Sequence, residues 1–196
     1  MTAGRVARPL ADPVALLAGA VRYAEGGLRL VTPADLSRPT PCSEWNLRDL
    51  LVHMNESLVV LEEAALDRAV VLQPAAVPDV SADPVAALRY RSRRVVSAWT
   101  RTGDRGDIRV GGAPLPSGVA AAAGALEVAV HGWDVAQAVG RHRPIPHELA
   151  LELVSCADVF VTDADRPMRF AAPVPVPPWA GPGERLVARL GRVGGR

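Results

Sequence analysis

The sequence predicts an all-α protein, a bundle of four long helices with a C-terminal extra helix and a Pro-rich extended tail. Three observations carry that prediction. Apolar residues recur at helical spacing in four long segments, and Pro and Gly punctuate the gaps between them. No segment alternates polar and apolar residues over a length that builds a sheet, beyond a brief strand at 108–110. The 196 residues fit one domain, 1–196, large enough to bury a substantial core, and no internal repeat divides them.

The first helix is expected over about 13–31, with Asp12 as its N-cap and Pro13 at its first position, weakened near its end by Gly26 and Gly27. The second begins near Asn46, where Asn46 and Asp49 have capping-box spacing. Its apolar face is Leu47, Leu50, Leu51, Met54, Leu58 and Leu61. The third follows Asp83 and Pro84 through Leu88, Val95, Val96 and Trp99, and ends before Gly103. The fourth starts after Ser117 and stops at Gly140, which suits a left-handed C-terminal cap.

A fifth helix is expected over 146–163, with Leu149, Leu153, Ala157 and Phe160 on one side. The stretch "FAAPVPVPPWAGPG" cannot be helical, because its prolines lack backbone donors and forbid the α conformation before them. It is expected to lie extended across the bundle, with a short final helix over 184–191. Between the third and fourth helices "GDIRVGGAPLPSG" has turn chemistry.

Composition narrows the function classes. A formal net charge of +1 with both signs scattered gives no electrostatic basis for nucleic acid or an anionic membrane as partner. All 22 basic residues are Arg, which excludes Schiff-base, phosphate-loop and kinase-type lysines together. The two cysteines, Cys42 and Cys156, form no CxxC pattern and no disulfide framework, which fits a reduced cytoplasmic setting. "MTAGRVARPLADP" lacks the apolar core of a signal peptide, and no run approaches the ~18 apolar residues of a membrane span. A soluble, cytoplasmic monomer or homodimer acting on small molecules is the expectation.

The chemistry sits in "ALEVAVHGWDVAQAVG", residues 125–140, where three polar residues interrupt an apolar helix. At 3.6 residues per turn Glu127 and His131 lie one above the other, with Asp134 on the same strip one turn later. Leu126, Val130 and Trp133 form an adjacent strip that faces the bundle, so the polar strip lies at the shoulder of the core. His142 and His147 belong to the turn "RHRPIPH". That leaves His53, in "LRDLLVHMNE" on the flank of the second helix, as the remaining imidazole. His53, Glu127 and His131 would make a His₂Glu set with an open coordination position, the pattern of catalytic zinc. On spacing alone, a Glu/His surface pair and a solvated histidine remain the commoner arrangements.

Other residues have simpler readings. Cys42 has no His or Arg placed beside it by sequence, and Cys156 falls on the apolar side of the fifth helix. Trp45 and Trp133 flank the polar residues as possible pocket walls or as core anchors. "RYRSRR", residues 89–94, reads as a solvated basic face from which one Arg could reach a carboxylate.

"TPCSEWNLRDLLVHM" at 40–54 and "EVAVHGWDVAQAVG" at 127–140 resemble, in order, two motifs of the mycothiol-dependent maleylpyruvate isomerase N-terminal family, a branch of the DinB-like metal-binding bundles. "PMRFAAPVPVPPWAGPGERLVARLGR" resembles the C-terminal signature of a short subgroup of that family. The resemblance implies a DinB-like four-helix fold. It matches His53, Glu127 and His131 to the family's three metal ligands, usually holding zinc, with nickel or iron as alternatives. It puts Asp134 behind them, orienting a ligand imidazole or a bound water. A counterpart of the true isomerase's separate C-terminal domain is not expected within these residues, and Asn46 stands where the family often has Thr or Ser.

The implied chemistry is metal-dependent activation of a low-molecular-weight thiol, mycothiol, for transfer to, or isomerisation of, a small electrophilic substrate. The same ligands would serve a metal-dependent hydrolase, or a lyase or cyclase of specialised metabolism. A non-catalytic metal-binding or scaffolding bundle belongs to a different class and shares the fold.

Overall fold

The computed structural model describes residues 12–42, 45–71, 80, 82–166 and 168–193; the ends of the expected 1–196 domain lie outside them. In chain order the elements are α1 (Pro13–Leu28), α2 (Leu47–Leu66), β1 (Ala69–Val70), α3 (Pro84–Thr102), β2 (Asp107–Val110), β3 (Ala113–Pro116), α4 (Ser117–Ala138), α5 (His147–Phe160) and α6 (Pro182–Arg189). The protein is mostly helical, a DinB-like bundle as expected. α1 packs most extensively on α4, and α2 packs on α3 and α4. α5 rests on α4 and α1, and α6 rests on α5.

Local chemistry explains most boundaries. The Asp12 carboxylate accepts from the backbone of Val14 and Ala15 at 3.0 and 3.2 Å, ahead of Pro13 at the first helical position. α1 ends at Leu28, short of residue 31, yet Gly26 and Gly27 stay helical. Asn46 and Asp49 close a reciprocal box: Asp49 N–H donates to Asn46 Oδ1 at 3.1 Å and Asn46 N–H to Asp49 Oδ2 at 3.2 Å. Such a cap contributes about 1 kcal/mol to the start of α2, the helix that carries His53.

α3 stops at Gly103 as expected. At the end of α4, Gly140 N–H bonds to Gln137 O and Arg141 N–H to Ala136 O, the paired bonds of a Schellman cap around a left-handed glycine. α5 ends at Phe160 rather than 163, because Val161 turns extended and Thr162 opens a short 3-10 turn, Asp163–Asp165. α6 begins two residues earlier than expected, at Pro182, which suits a first helical position.

The sheet goes beyond the single brief strand expected. β1 runs parallel to β2, and β2 pairs antiparallel with β3, with Ile108 opposite Leu115 and Val110 opposite Ala113. Pro114 and Pro116 hide β3 from a sequence reading. They are tolerated because β3 is an edge, where one row of donors has no partner to serve.

The apolar stripe of α2 is buried as expected, from Leu47 to Leu61, in one hydrophobic cluster with α1, α3, α4 and α5. Each fully buried leucine contributes about 1.5–3 kcal/mol of transfer free energy. The α1–α4 contact depends on Gly132: a Cβ there would lie 2.9 Å from both Cα and Cβ of Ala24, closer than carbon atoms approach. The segment 89–94 is not a purely solvated face. Arg91 Nη1 and Arg94 Nε reach the buried Glu62 carboxylate at 2.7 and 2.5 Å, fastening α3 to α2. A buried carboxylate needs such partners.

Candidate metal centre

α4 is buried around almost its whole circumference, so its polar residues must find partners inside the protein. Glu127 faces α2, where His53 Nε2 lies 2.9 Å from Glu127 Oε1. His131 Nε2 approaches the same oxygen at 3.2 Å, one helical turn on. Ser57 Oγ donates to that oxygen at 3.4 Å. The donor atoms of His53, Glu127 and His131 lie within 4.8 Å of one another. The structure therefore brings together the three residues that the sequence reading grouped.

Asp134 lies behind them. Its Oδ2 is 2.9 Å from His131 Nδ1, and the residue is fully buried. A buried carboxylate facing Nδ1 favours a proton on that nitrogen, so Nε2 is the nitrogen turned toward the cluster. The charge on Asp134 is met by Arg192, which donates from Nη2 to Oδ2 at 2.9 Å and from Nε to Oδ1 at 3.3 Å. No spacing rule pointed to Arg192, 58 residues further along the chain.

Cys42 also joins this group. Its Sγ lies 3.3 Å from Arg192 Nη2, 3.5 Å from Asp134 Oδ2 and 4.0 Å from His131 Nδ1. The sequence placed no Arg or His beside it; the fold supplies both. Cys156 is buried on α5 as expected, and burial followed by the charge of Glu152 pushes its thiol up to about 11.

The ionisation of the cluster follows from its partners. Burial opposes the charged form of Glu127, but the His131 charge and hydrogen bonds from His131 and His53 prevail and hold its carboxyl well below the usual range. Burial likewise disfavours a charged His131. The Glu127 charge and the bonds to Asp134, Cys42 and Glu127 hold it well above the usual histidine value. Asp134 is lowered despite burial, by the His131 hydrogen bond and by the charge and hydrogen bonds of Arg192.

A cavity of about 670 Å³ opens beside the cluster. Cys42, His53, Glu127, His131 and Arg192 give it a polar side; Leu126, Val130, Phe160 and Phe170 give it an apolar one. Trp45 lines it and stacks near His53, with ring centroids 4.5 Å apart. Trp133 is buried in the core and is not among the lining residues. On α4 it lies about 120° around the helix from Glu127, at the far edge of the Leu126 and Val130 strip.

A family model described as the mycothiol maleylpyruvate isomerase N-terminal domain matches residues 17–136. Two relatives from Mycobacterium tuberculosis, one from strain CDC 1551 / Oshkosh and one from strain ATCC 25618 / H37Rv, each bear the name of an uncharacterized protein. Each is 31% identical over 159 residues, which covers 80% of this chain and 85% of the relative. No solved structure matches. The family is mycothiol-related and consists of metal-binding, DinB-like bundles. No helix among the described residues is long and apolar enough to cross a membrane. The matched span covers more than half of the chain and takes in α2 and nearly all of α4, so the chain belongs to the mycothiol maleylpyruvate isomerase N-terminal domain family.

Proposed function

We propose that the protein is a divalent-metal-dependent enzyme in which His53, Glu127 and His131 hold one ion, zinc in preference to nickel or iron. It activates a low-molecular-weight thiol, mycothiol, for transfer to, or isomerisation of, a small electrophilic substrate in the cytoplasm. The observation that carries this reading is the convergence of two imidazole nitrogens on one carboxylate, with all three donor atoms within 4.8 Å, at the edge of a cavity. Two imidazole nitrogens, freed of any proton as the ion binds, and one carboxylate are the donor types of catalytic zinc, so the residues fit the group. When bound there, the ion supplies positive charge that favours the ionised form of a coordinating thiol or water.

The chain's own residues prepare that position. Asp134 accepts a hydrogen bond from His131 Nδ1, so Nε2 faces the cluster. Arg192 offsets the Asp134 charge, and Trp45 restricts the His53 ring. Leu126, Val130, Phe160 and Phe170 form a wall that keeps bulk water from an apolar substrate portion.

Metal content of the purified protein is the first test, expected at one ion per chain and lost in both His53→Ala and His131→Ala with helical circular dichroism retained. Metal-free wild-type protein that cannot be reconstituted, or variants that keep the ion, would overturn the metal site. The second test follows loss of free mycothiol against haloalkane, epoxide and unsaturated-carbonyl electrophiles. Consumption that requires both ion and protein is expected. Its absence across the panel, with the ion bound, would overturn the thiol chemistry and favour a hydrolase on the same ligands.

A further inference from the structure

The residues that hold His131 in place do not all come from the helices that carry the three donors. α6 ends in a Schellman cap: Gly191 N–H bonds to Ala188 O at 3.0 Å and Arg192 N–H to Val187 O at 2.9 Å. Gly191 adopts φ +81°, a left-handed conformation, and a Cβ there would lie 2.5 Å from Ala171 Cβ. Glycine at this position thus serves two needs, the turn and the close approach. The cap aims the next side chain, Arg192, back into the bundle, where it is 9% exposed and its Nη1 is tied to Leu190 O at 3.0 Å.

There Arg192 grips both oxygens of Asp134, and Asp134 faces His131 Nδ1. The two-point grip matters because a carboxylate held by one bond can rotate away from the imidazole, whereas a fork-shaped pair fixes its plane. Residue 192 lies well beyond the span 17–136 that the family model matches. The C-terminal turn thus reaches a group inside the matched span.

We propose that Arg192 is a positioning residue of the centre: through Asp134 it fixes the ring orientation and Nδ1 proton of His131, making the end of α6 part of the metal site. This rests on the reading of His53, Glu127 and His131 as metal ligands. Arg192 hydrogen-bonds to Asp134 and Cys42 rather than to the three donors. It acts through one carboxylate, as outer partners of ligating histidines do.

The test uses the full chain, with zinc alone as the probe. Zinc affinity by chelator competition is expected to fall about 10–100-fold in Arg192→Met, the range found for outer-partner mutations. Arg192→Lys, which keeps the charge but not the fork, is expected to fall between that variant and wild type. Added guanidinium ion is expected to restore affinity in Arg192→Ala but to leave wild type unchanged. Equal zinc affinity in wild type and Arg192→Met, with only the melting temperature lowered, would mean that Arg192 merely anchors the tail, and would overturn the proposal.

A second readout does not depend on the ion. In metal-free wild type, the His131 Nδ1 proton should give a downfield, slowly exchanging imidazole resonance that is lost in Arg192→Met. Persistence of that resonance in the variant overturns the positioning role even if wild type binds no zinc. Wild type that cannot be loaded with zinc, yet shows the resonance and loses it in Arg192→Met, overturns the metal reading while supporting the positioning.

Discussion

Replacing Gly132 with alanine tests whether the centre depends on how closely α1 and α4 approach. The added methyl would lie 2.9 Å from Ala24 Cα and Cβ and 3.4 Å from Tyr23 Cδ1. The nearest atom is backbone, so no flexible side chain can swing aside and the helices must separate. Overpacking of this kind costs about 1–3 kcal/mol. Against it stands the intrinsic preference of a helix for alanine over glycine, about 0.8–1 kcal/mol. The net expectation is a loss of up to about 2 kcal/mol, or up to about 8 °C of melting temperature for a chain of this size.

Gly19 on α1 supplies the internal control. A Cβ there would meet Arg22 Nη2 and Leu149 Cδ1 at 3.7 Å, which is ordinary contact. Gly19→Ala should therefore be neutral or stabilise by up to about 1 kcal/mol. Thermal unfolding of both variants followed by circular dichroism reads the difference. Because Gly132 follows His131, the shift should also weaken zinc binding in Gly132→Ala and leave Gly19→Ala unaffected. A Gly132→Ala protein as stable as Gly19→Ala, with wild-type zinc affinity, would refute the claim that this contact sets the geometry.

Two further outcomes follow from buried groups. Glu62→Ala removes the carboxylate that Arg91 and Arg94 share; with Arg91 largely buried and Arg94 half exposed, the expected loss is about 2–4 kcal/mol by urea denaturation. A loss below about 0.5 kcal/mol would place that cluster among ordinary surface pairs. Alkylation at pH 8 should label Cys42, which lines the cavity, and spare Cys156, whose buried thiol is pushed up to about 11 and stays protonated. Labelling of both cysteines at equal rates in the folded protein would contradict that difference.

Much of the bundle was legible because its signals are local. The Asn46/Asp49 box, Pro13 behind Asp12 and the glycine at 140 each decide a boundary within four residues of themselves, and the structure realises all three. The misses have different causes. β3 carries two prolines that sequence patterns count against a strand, and only its place at the sheet edge makes them harmless. Glu62 is separated from Arg91 by 29 positions, so the α2–α3 packing had to be known before 89–94 could be read as more than solvated charge. The grouping of His53 with Glu127 and His131 was legible because two lie four apart on one helix and few histidines compete for the third position, and the resemblance to the family singled it out over an ordinary surface pair. Arg192 and Cys42 had no such constraint.

That contrast bears on how the centre is put together. His53 and the 127–134 strip come from two long helices whose packing is fixed by buried leucines and close glycine contacts, so their donor atoms inherit the rigidity of the core. Phe160, Phe170 and Arg192 come from the end of α5, the extended tail and the turn after α6, all beyond the family-matched span. Donors on rigid helices suit a coordination set that tolerates little displacement, whereas a wall built from tail and turn can change shape without disturbing them. Arg192 is the exception, because it ties the wall built from tail and turn to the helix-borne set through Asp134. A substitution in the tail should therefore alter substrate preference alone if it leaves the Arg192–Asp134 pair intact. If it displaces that pair, zinc affinity should change as well.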